Sequence, residues 1–191
     1  MTLRDMTWMN EPLSWKVEGD RLTATSGAET DFWQGTYYGY RTDSGHFLHA
    51  EREGDFTLEA TFSGRYETLY DQAGLMIRRD AATWMKCGVE LTDGALHFSV
   101  VVTVGQSDWS AFEIGHAFES VTTRVTRNRD ALFIQYRTDA MQAFRMARLA
   151  YFPPELETVS AGVMFCSPKR AGFEATFAGV ALTDPVSRDI H

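Results

Sequence analysis

The chain has 191 residues, of which 44% are hydrophobic and 23% charged, and its formal net charge is −8. This is the composition of an ordinary globular protein with enough apolar residues for a sizeable core. A binder of duplex nucleic acid needs clustered Lys and Arg to neutralise phosphates, and an anionic membrane surface makes a similar demand. The negative net charge therefore argues against both nucleic acid and membrane as partners. It is compatible with a small neutral ligand such as a sugar, or with another protein.

The amino-terminal stretch MTLRDMTWMNEP has no apolar segment of the kind found in signal peptides, and no run approaches the ~18 apolar residues of a membrane span. We therefore expect a cytoplasmic protein, folded as a single domain over residues 1–191. Cys87 and Cys166 both lie in apolar runs. Two buried free thiols are expected rather than a disulfide.

Strand signals dominate the first half of the chain. The run 55–64, DFTLEATFSG, alternates apolar and polar residues as a half-buried strand does, and so do 72–79, QAGLMIRR, and 84–91, WMKCGVEL. TDG at 92–94 is a hairpin signal, and ALHFSVVVT at 95–103 is the expected return strand.

The second half repeats this pattern. The run 122–137, TTRVTRNRDALFIQYR, predicts two strands joined by a turn at Asn128–Asp130, and 158–167 and 173–183 predict two more. The segment 141–152, MQAFRMARLAYF, contains good helix formers, but its β context favours a strand. Turn signals at short intervals predict an all-β sandwich or barrel.

Polar and aromatic groups share one face of the run 84–91. Trp84, Lys86 and Glu90 lie opposite the apolar face, with His97 beside them across the hairpin and Gln72 on a neighbouring strand. An aromatic ring flanked by hydrogen-bonding groups is the composition of a sugar site. The alternative is that Lys86 and Glu90 form only a solvated salt-bridging face.

Aromatic residues in polar, glycine-containing segments supply a second set of candidates. Trp33 lies in TDFWQGTYYGY and Trp109 in QSDWSAF, and Tyr70 opens the run 69–80. Such residues often line recognition sites, although they also cover the ends of sandwich sheets. We place them on the rim of the site, together with Asp71 and Asp108.

Several motifs, taken in order, resemble one family. They are WMNEP from Trp8, TDFWQGTYYGYRTDSGH from Thr30, LYDQAGLMIRRD from Leu69, WMKCGVE from Trp84 and the late CSP. The chain resembles the regulation-of-enolase-protein family, a domain of unknown function, over essentially its whole length. Phe144 stands where Trp is expected in that family, and Gln34 where Arg is expected.

The resemblance implies a two-sheet antiparallel jelly-roll β-sandwich of the concanavalin A-like lectin/glucanase type, with one concave sheet face. The chain is also similar to the accessory sandwich domain of some family-43 xylosidases. The family has no settled activity, so its function has to be argued from residues. Its name implies one alternative, an intracellular regulator that binds a metabolic enzyme such as enolase.

Catalysis and metal binding have weaker signals. Glycoside hydrolysis needs two converging carboxylates. The run EREGDF at 51–56 is expected to be solvated, and Glu90 has only dispersed partners in Glu59, Asp71 or Asp108. The spacing of Asp43, His46 and His49 alternates strand faces, so no metal and no cofactor are predicted. A hydrolase or lyase stays an alternative, but a non-enzyme is favoured.

The leading hypothesis is a non-catalytic module that binds a carbohydrate or polyol on the concave face. Trp84 is expected to stack on the ligand, with Lys86, Glu90 and Gln72 as polar contacts. Arg124 precedes the core residue Val125 and so faces away from the core. It either joins the site and binds an acidic sugar, or pairs with an acid such as Glu90 or Glu59.

Overall fold

The computed structural model describes residues 2–37, 39–155 and 158–186, and its framework is two seven-stranded antiparallel sheets. Strands are numbered in chain order. In spatial order the first sheet comprises β1 (Thr7–Met9), β6 (His46–Glu53), β15 (Thr158–Cys166), β8 (Gln72–Asp80), β9 (Thr83–Thr92), β10 (Ala95–Val104) and β11 (Gln106–Glu113). The second comprises β14 (Arg145–Tyr151), β13 (Ala131–Thr138), β12 (Val121–Asn128), β7 (Phe56–Gly64), β16 (Glu174–Thr183), β3 (Arg21–Thr25) and β2 (Ser14–Glu18).

Two shorter elements lie outside these sheets. A two-stranded hairpin is formed by β4 (Phe32–Gln34) and β5 (Arg41–Asp43), and a 3-10 turn spans Leu3–Asp5. In the part of the chain that the structure describes, no helix has the length and apolar character needed to cross a membrane.

The main core lies between the two sheets, where the predicted alternation places it. Leu58 and Phe62 of β7 are buried in one cluster with Leu75 of β8 and Val89 of β9. Side chains of successive strand residues point to opposite faces, so each strand gives one apolar row to this core. The predicted fold class, an all-β jelly-roll sandwich of two antiparallel sheets, is confirmed.

The predicted turn, strand and free cysteines are confirmed, although the strand predicted at 141–152 is shorter than expected. The turn between β12 and β13 falls at Arg129–Asp130, inside the predicted 128–130. The segment 141–152 forms a strand only over Arg145–Tyr151. Cys87 and Cys166 are both free and buried, as expected.

A second apolar cluster covers part of the outer face of the first sheet. Hairpin residues Phe32 and Trp33 lie over sheet residues, and the cluster as a whole comprises Phe32, Trp33, Phe47, Met76, Trp84, Val101, Met164 and Cys166. The face predicted as an open groove is therefore partly roofed by the β4–β5 hairpin. Alternation along β9 places Trp84 on this outer face, and the hairpin covers it with the apolar side chains of Phe32 and Trp33.

Polar contacts fix the hairpin to the sheet. Arg78 of β8 donates to both carboxylate oxygens of Asp43, at 2.8 and 2.7 Å. Gln34 donates its side-chain amide to the Ala81 carbonyl oxygen at 2.6 Å, and its backbone N–H donates to Ser107 Oγ at 2.9 Å. Because two parallel hydrogen bonds join Arg78 to Asp43, they fix the orientation of the hairpin as well as its distance from the sheet. The hairpin is thus a fixed roof over this face.

Two glycines shape the sheet beneath this roof. Gly74 of β8 lies opposite Gly88 of β9, and a Cβ added to either would overlap the backbone of the neighbouring strand. Gly88 lies between Lys86 and Glu90 on their shared face. At this point β8 and β9 approach closely, and β9 carries no side chain between Lys86 and Glu90 on this face.

Candidate functional site

A cavity of about 350 Å³ lies on the outer face of the first sheet beside the hairpin. Six residues predicted from the sequence line it: Trp33, Tyr70, Gln72, Lys86, Glu90 and Trp109. Seven further lining residues were not among the predicted ones: Glu29, Asp31, Tyr40, Thr42, Val101, Pro168 and Lys169. A volume of this size is at the lower end of the range for small-ligand sites.

Strand register builds the floor of the cavity. Lys86 of β9 lies opposite Val101 of β10, which in turn lies opposite Trp109 of β11. Gln72 of β8 lies opposite Glu90 of β9. Neighbouring strands are ~4.8 Å apart and residues four apart on one strand are ~13 Å apart. The floor is therefore a broad surface with charged groups at both ends.

A buried ion pair joins the floor to the roof. Lys86 Nζ lies 3.2 Å from Asp31 Oδ1, and the side chains are only 5% and 12% exposed. Burial lowers the pKa of Lys86, but the carboxylates of Asp31 and Glu90 more than compensate, so its pKa lies above the ordinary value. Asp31 also accepts from the Phe32 N–H at 2.7 Å and from the Tyr40 hydroxyl at 3.3 Å. Asp31 therefore anchors the hairpin to the sheet.

Glu90 is the second buried carboxyl of the cavity. Burial raises its pKa, and the Lys86 ammonium together with hydrogen bonding by Ser99 and Trp109 compensates only in part. The Asp31 carboxylate adds to the increase. Glu90 is only 6% exposed, yet it lines the cavity. It is therefore a desolvated acceptor that a ligand can reach.

Four aromatic side chains form the walls. Trp33 is almost buried and donates its indole N–H to the Thr36 carbonyl oxygen at 3.0 Å. Tyr70 and Trp109 meet edge to face, with ring centroids 6.4 Å apart. Trp109 is 37% exposed and Tyr40 45% exposed, so their rings offer open faces. The indole N–H of Trp109 donates to Ser99 Oγ at 2.9 Å, which fixes that ring over the floor.

Tyr70 is held in an uncommon backbone conformation at the cavity edge. Its φ is +69°, in the left-handed region that non-glycine residues rarely adopt. Its N–H donates to the Leu91 carbonyl oxygen at 2.7 Å, and the Leu91 N–H donates to the Asp71 carbonyl oxygen at 3.0 Å. Surrounding contacts therefore impose this conformation, as is typical of functional segments.

The placement of Asp71 on the rim is wrong. Its carboxylate is fully buried and accepts from Ser167 Oγ at 2.6 Å and from Arg170 Nη2 at 2.6 Å. Burial alone would raise its pKa, but hydrogen bonds from Arg170, Ser167 and the backbone N–H groups of Glu67 and Thr68 hold the pKa below the ordinary value. Asp71 is therefore a structural group outside the cavity, although its neighbour Tyr70 lines it.

The placement of Trp84 as the open stacking ring is also wrong. Trp84 is 1% exposed and its ring lies 6.2 Å from that of Phe32, with an interplanar angle of 56°. Its indole N–H donates to the Ala81 carbonyl oxygen at 3.1 Å. Trp84 lies on the predicted face of β9, opposite the main core, but the hairpin covers the end of that face where Trp84 lies.

Three more predicted residues lie outside the cavity. Arg124 is on the second sheet, where its Nε lies 2.6 Å from Glu59 Oε2 and its guanidinium stacks on Phe144 at 4.1 Å. Asp108 points away from the cavity, since it precedes the inward-facing Trp109, and pairs with Arg148 at 3.2 Å. His97 lies opposite Glu90 but does not line the cavity; its Nδ1 is 3.1 Å from the Ala95 carbonyl oxygen.

The acids considered as catalytic partners for Glu90 are engaged in ion pairs outside the cavity. Glu59, Asp71 and Asp108 each have an ion-pair partner outside the cavity, namely Arg124, Arg170 and Arg148. Asp43 and His46 are similarly engaged, by Arg78 and by the Gly27 N–H. Within residues 2–37, 39–155 and 158–186, no three His, Cys, Asp or Glu side chains are grouped as a metal site requires.

Asp31 is the main residue that sequence reasoning missed. It directly precedes Phe32 and Trp33 in the TDFWQG motif, and Lys86 lies 55 residues further along the chain. The sequence feature that indicates such an acid is Lys86. A lysine that shares a strand face with a large aromatic residue needs a carboxylate partner if that face is buried.

The two-sheet sandwich, with a polar cavity walled by aromatic rings on one outer face, has the architecture of the concanavalin A-like class. The chain belongs to the family described as Protein of unknown function (DUF1349), whose model matches residues 8–185. The resemblance drawn from the motifs is therefore confirmed.

Known relatives agree with this assignment. Regulation of enolase protein 1 from Saccharomyces cerevisiae is 40% identical over 185 residues, covering 97% of this chain and 92% of that protein. The crystal structure of a functionally unknown protein from the same yeast superposes with a TM-score of 0.93 at 40% identity, covering 98% and 100% of the two chains. The carbohydrate binding module CBM66 from Bacillus subtilis shares the fold, with a TM-score of 0.57 at 14% identity over 94% and 98%.

Proposed function

We propose that the chain is a non-catalytic module that binds a carbohydrate or a related polyol in this cavity. The observation that carries the proposal is the cavity itself, in which aromatic walls surround a floor of charged and amide groups. Trp109 and Tyr40 offer partly exposed rings, while Gln72, Lys86 and Glu90 offer hydrogen-bonding groups. Sugars present both C–H faces and hydroxyl groups, so they match such a combination.

The state of Asp31 favours binding over catalysis. Its carboxylate is engaged by Lys86, by the Tyr40 hydroxyl and by the Phe32 N–H, at 3.2, 3.3 and 2.7 Å. A general base or nucleophile needs a free oxygen directed at the substrate. Asp31 instead holds the roof in place, and Glu59, Asp71 and Asp108 are ion-paired outside the cavity. The remaining lining carboxylate, Glu29, is exposed at the surface and not buried with Glu90. The similar fold of a carbohydrate binding module adds support.

Trp109→Ala is expected to weaken sugar binding without unfolding the protein. Removing a central aromatic contact typically costs about 1–2 kcal/mol, so the dissociation constant should rise about 5- to 30-fold. Titration calorimetry of a neutral mono- and disaccharide panel measures this. Trp15→Ala is the matched control, because Trp15 is 42% exposed, close to the 37% of Trp109, but lies on β2 at the edge of the second sheet. Equal losses in both variants, or binding of no sugar by the wild type, would contradict the proposal.

A second candidate is a regulator that binds a metabolic enzyme. It is favoured by the name of the yeast relative, Regulation of enolase protein 1, whose similarity covers 97% of this chain. The hairpin also presents Tyr37, whose side chain is 93% exposed. In a binding assay with purified enolase, this candidate requires capture that Tyr37→Ala abolishes and Trp109→Ala leaves intact. Loss in Trp109→Ala alone would instead favour the cavity.

A further inference from the structure

The charges buried around the cavity do not balance. Two carboxyl groups, those of Asp31 and Glu90, line it together with one buried ammonium group, that of Lys86. The two remaining charged lining residues, Glu29 and Lys169, are exposed and of opposite sign. Solvent screens exposed charges much more than buried ones. Among the buried groups that line the cavity, carboxyl groups therefore outnumber ammonium groups, and the floor carries an excess of negative charge when Glu90 is ionised.

Lys86 is the group that would attract an anionic ligand, but it is already engaged. Its ammonium lies 3.2 Å from Asp31 Oδ1, and both side chains are almost buried. A ligand carboxylate or phosphate would compete with this pair and would also be brought near the buried Glu90. Like charges next to a buried group are poorly screened and repel strongly, whereas the second cation of the lining, Lys169, is exposed and compensates an added anion only weakly.

Glu90, in contrast, suits an uncharged ligand. It lies opposite Gln72, so an acceptor and an amide share one end of the floor. A carboxylate can accept hydrogen bonds from two adjacent hydroxyl groups, while the amide of Gln72 can both donate and accept. Both groups line the cavity, so a ligand in it can reach them.

We propose that Glu90 sets the charge selectivity of the cavity, admitting neutral sugars and excluding acidic ones such as uronates. This inference rests on the proposed function and adds to it the class of sugar. It also excludes the acidic-sugar ligand considered for Arg124, a residue that lies on the other sheet.

Matched pairs of sugars test the inference. Calorimetric titration compares glucose with glucuronate, galactose with galacturonate and mannose with mannuronate. For the pair that binds, the uronate should be at least about tenfold weaker, which corresponds to about 1.4 kcal/mol. In Glu90→Gln, a nearly isosteric change, this ratio should fall at least about threefold, because the buried like charge is gone.

Glu29→Gln is the control, because it removes a carboxylate that lines the same cavity but is exposed. Its ratio should change less than about twofold, since an exposed charge is screened. If Glu90→Gln does not fold, salt provides a second measurement on the wild type. A buried source of selectivity predicts nearly the same ratio at low and high salt, whereas repulsion from the rim would disappear.

The outcomes separate the two proposals. Uronates that bind the wild type as tightly as their neutral partners, or a selectivity lost at high salt, overturn the role of Glu90 while sugar binding stands. A wild type that binds neither member of any pair overturns the proposed function, and with it this inference.

Discussion

Replacing Asp71 with alanine is expected to lower the free energy of unfolding by about 3–5 kcal/mol, the range for breaking a buried ion pair by removing one partner. The Asp71 carboxylate is fully buried and accepts from Ser167 Oγ and Arg170 Nη2, each at 2.6 Å. It also accepts from the backbone N–H groups of Glu67 and Thr68, both at 3.0 Å. All of these donors lose their acceptor in the variant. Urea denaturation followed by circular dichroism measures the change.

Glu67→Ala is the matched control for this change. Glu67 Oε2 lies 2.9 Å from Nη1 of the same Arg170, but the Glu67 side chain is 56% exposed. An exposed pair contributes about 1 kcal/mol or less. Equal destabilisation by both variants would show that the buried carboxylate has no special part in stability.

The pH dependence of stability provides an independent check on Asp71. Its pKa in the folded protein lies below the ordinary value, and an aspartate in an unfolded chain titrates near about 3.9. The stabilisation from Asp71 is therefore fully present above about pH 4 and is lost as the pH falls through the folded-state pKa. Stability measured between pH 6 and pH 3 should fall more steeply in the wild type than in Asp71→Asn. Parallel curves would contradict this assignment.

Trp84→Ala is expected to destabilise the protein by about 3–5 kcal/mol, as is usual for a large side chain removed from a packed interior. Trp84 is 1% exposed and contacts the hairpin through Phe32, so the variant leaves a cavity between the roof and the sheet. Thermal and urea denaturation measure the loss. Trp15→Ala, which removes the same side chain at 42% exposure, should cost about 1 kcal/mol or less. A Trp84→Ala variant as stable as Trp15→Ala would mean that Trp84 is not buried.

The burial of Trp84 changes how sugar-binding experiments should be designed. A loss of binding in Trp84→Ala would report movement of the hairpin, because Phe32 packs on Trp84 and Trp33 belongs to the same apolar cluster. Trp109 provides the cleaner test, since it lines the cavity and remains partly exposed.

Alternation along strands is what made the fold and half of the site predictable. It assigned Leu75 and Val89 to the core, and Lys86 and Glu90 to the opposite face, because successive side chains on a strand point in opposite directions. The same rule, applied to 107–109 of β11, would have placed Asp108 away from the cavity, but Asp108 was treated as a loop residue, for which alternation gives no information. Asp71 precedes β8, next to a residue of left-handed backbone conformation, so alternation could not have placed it.

Long-range contacts account for the remaining errors. A sandwich has two outer faces, and alternation places Arg124 opposite Val125 without saying which sheet carries it. Likewise, nothing near Trp84 in sequence indicates that Phe32, far upstream, covers it. Such pairings depend on the order of strands in space, which follows from the whole chain and not from any local pattern.

The β4–β5 hairpin is an addition to the sandwich and takes no part in the strand pairing of its two large sheets. It contributes Trp33 and, just outside its strands, Asp31 and Tyr40 to the cavity, yet it pairs with neither large sheet. Its attachment combines the packing of Phe32 on Trp84 with the ion pairs of Arg78 with Asp43 and of Lys86 with Asp31. A segment held through side chains can change in sequence while the sandwich beneath it keeps its strand pairing. Changes at the lining residues of the hairpin therefore reshape the cavity without altering the two large sheets, whereas a change at Phe32 also costs stability through its contact with the buried Trp84.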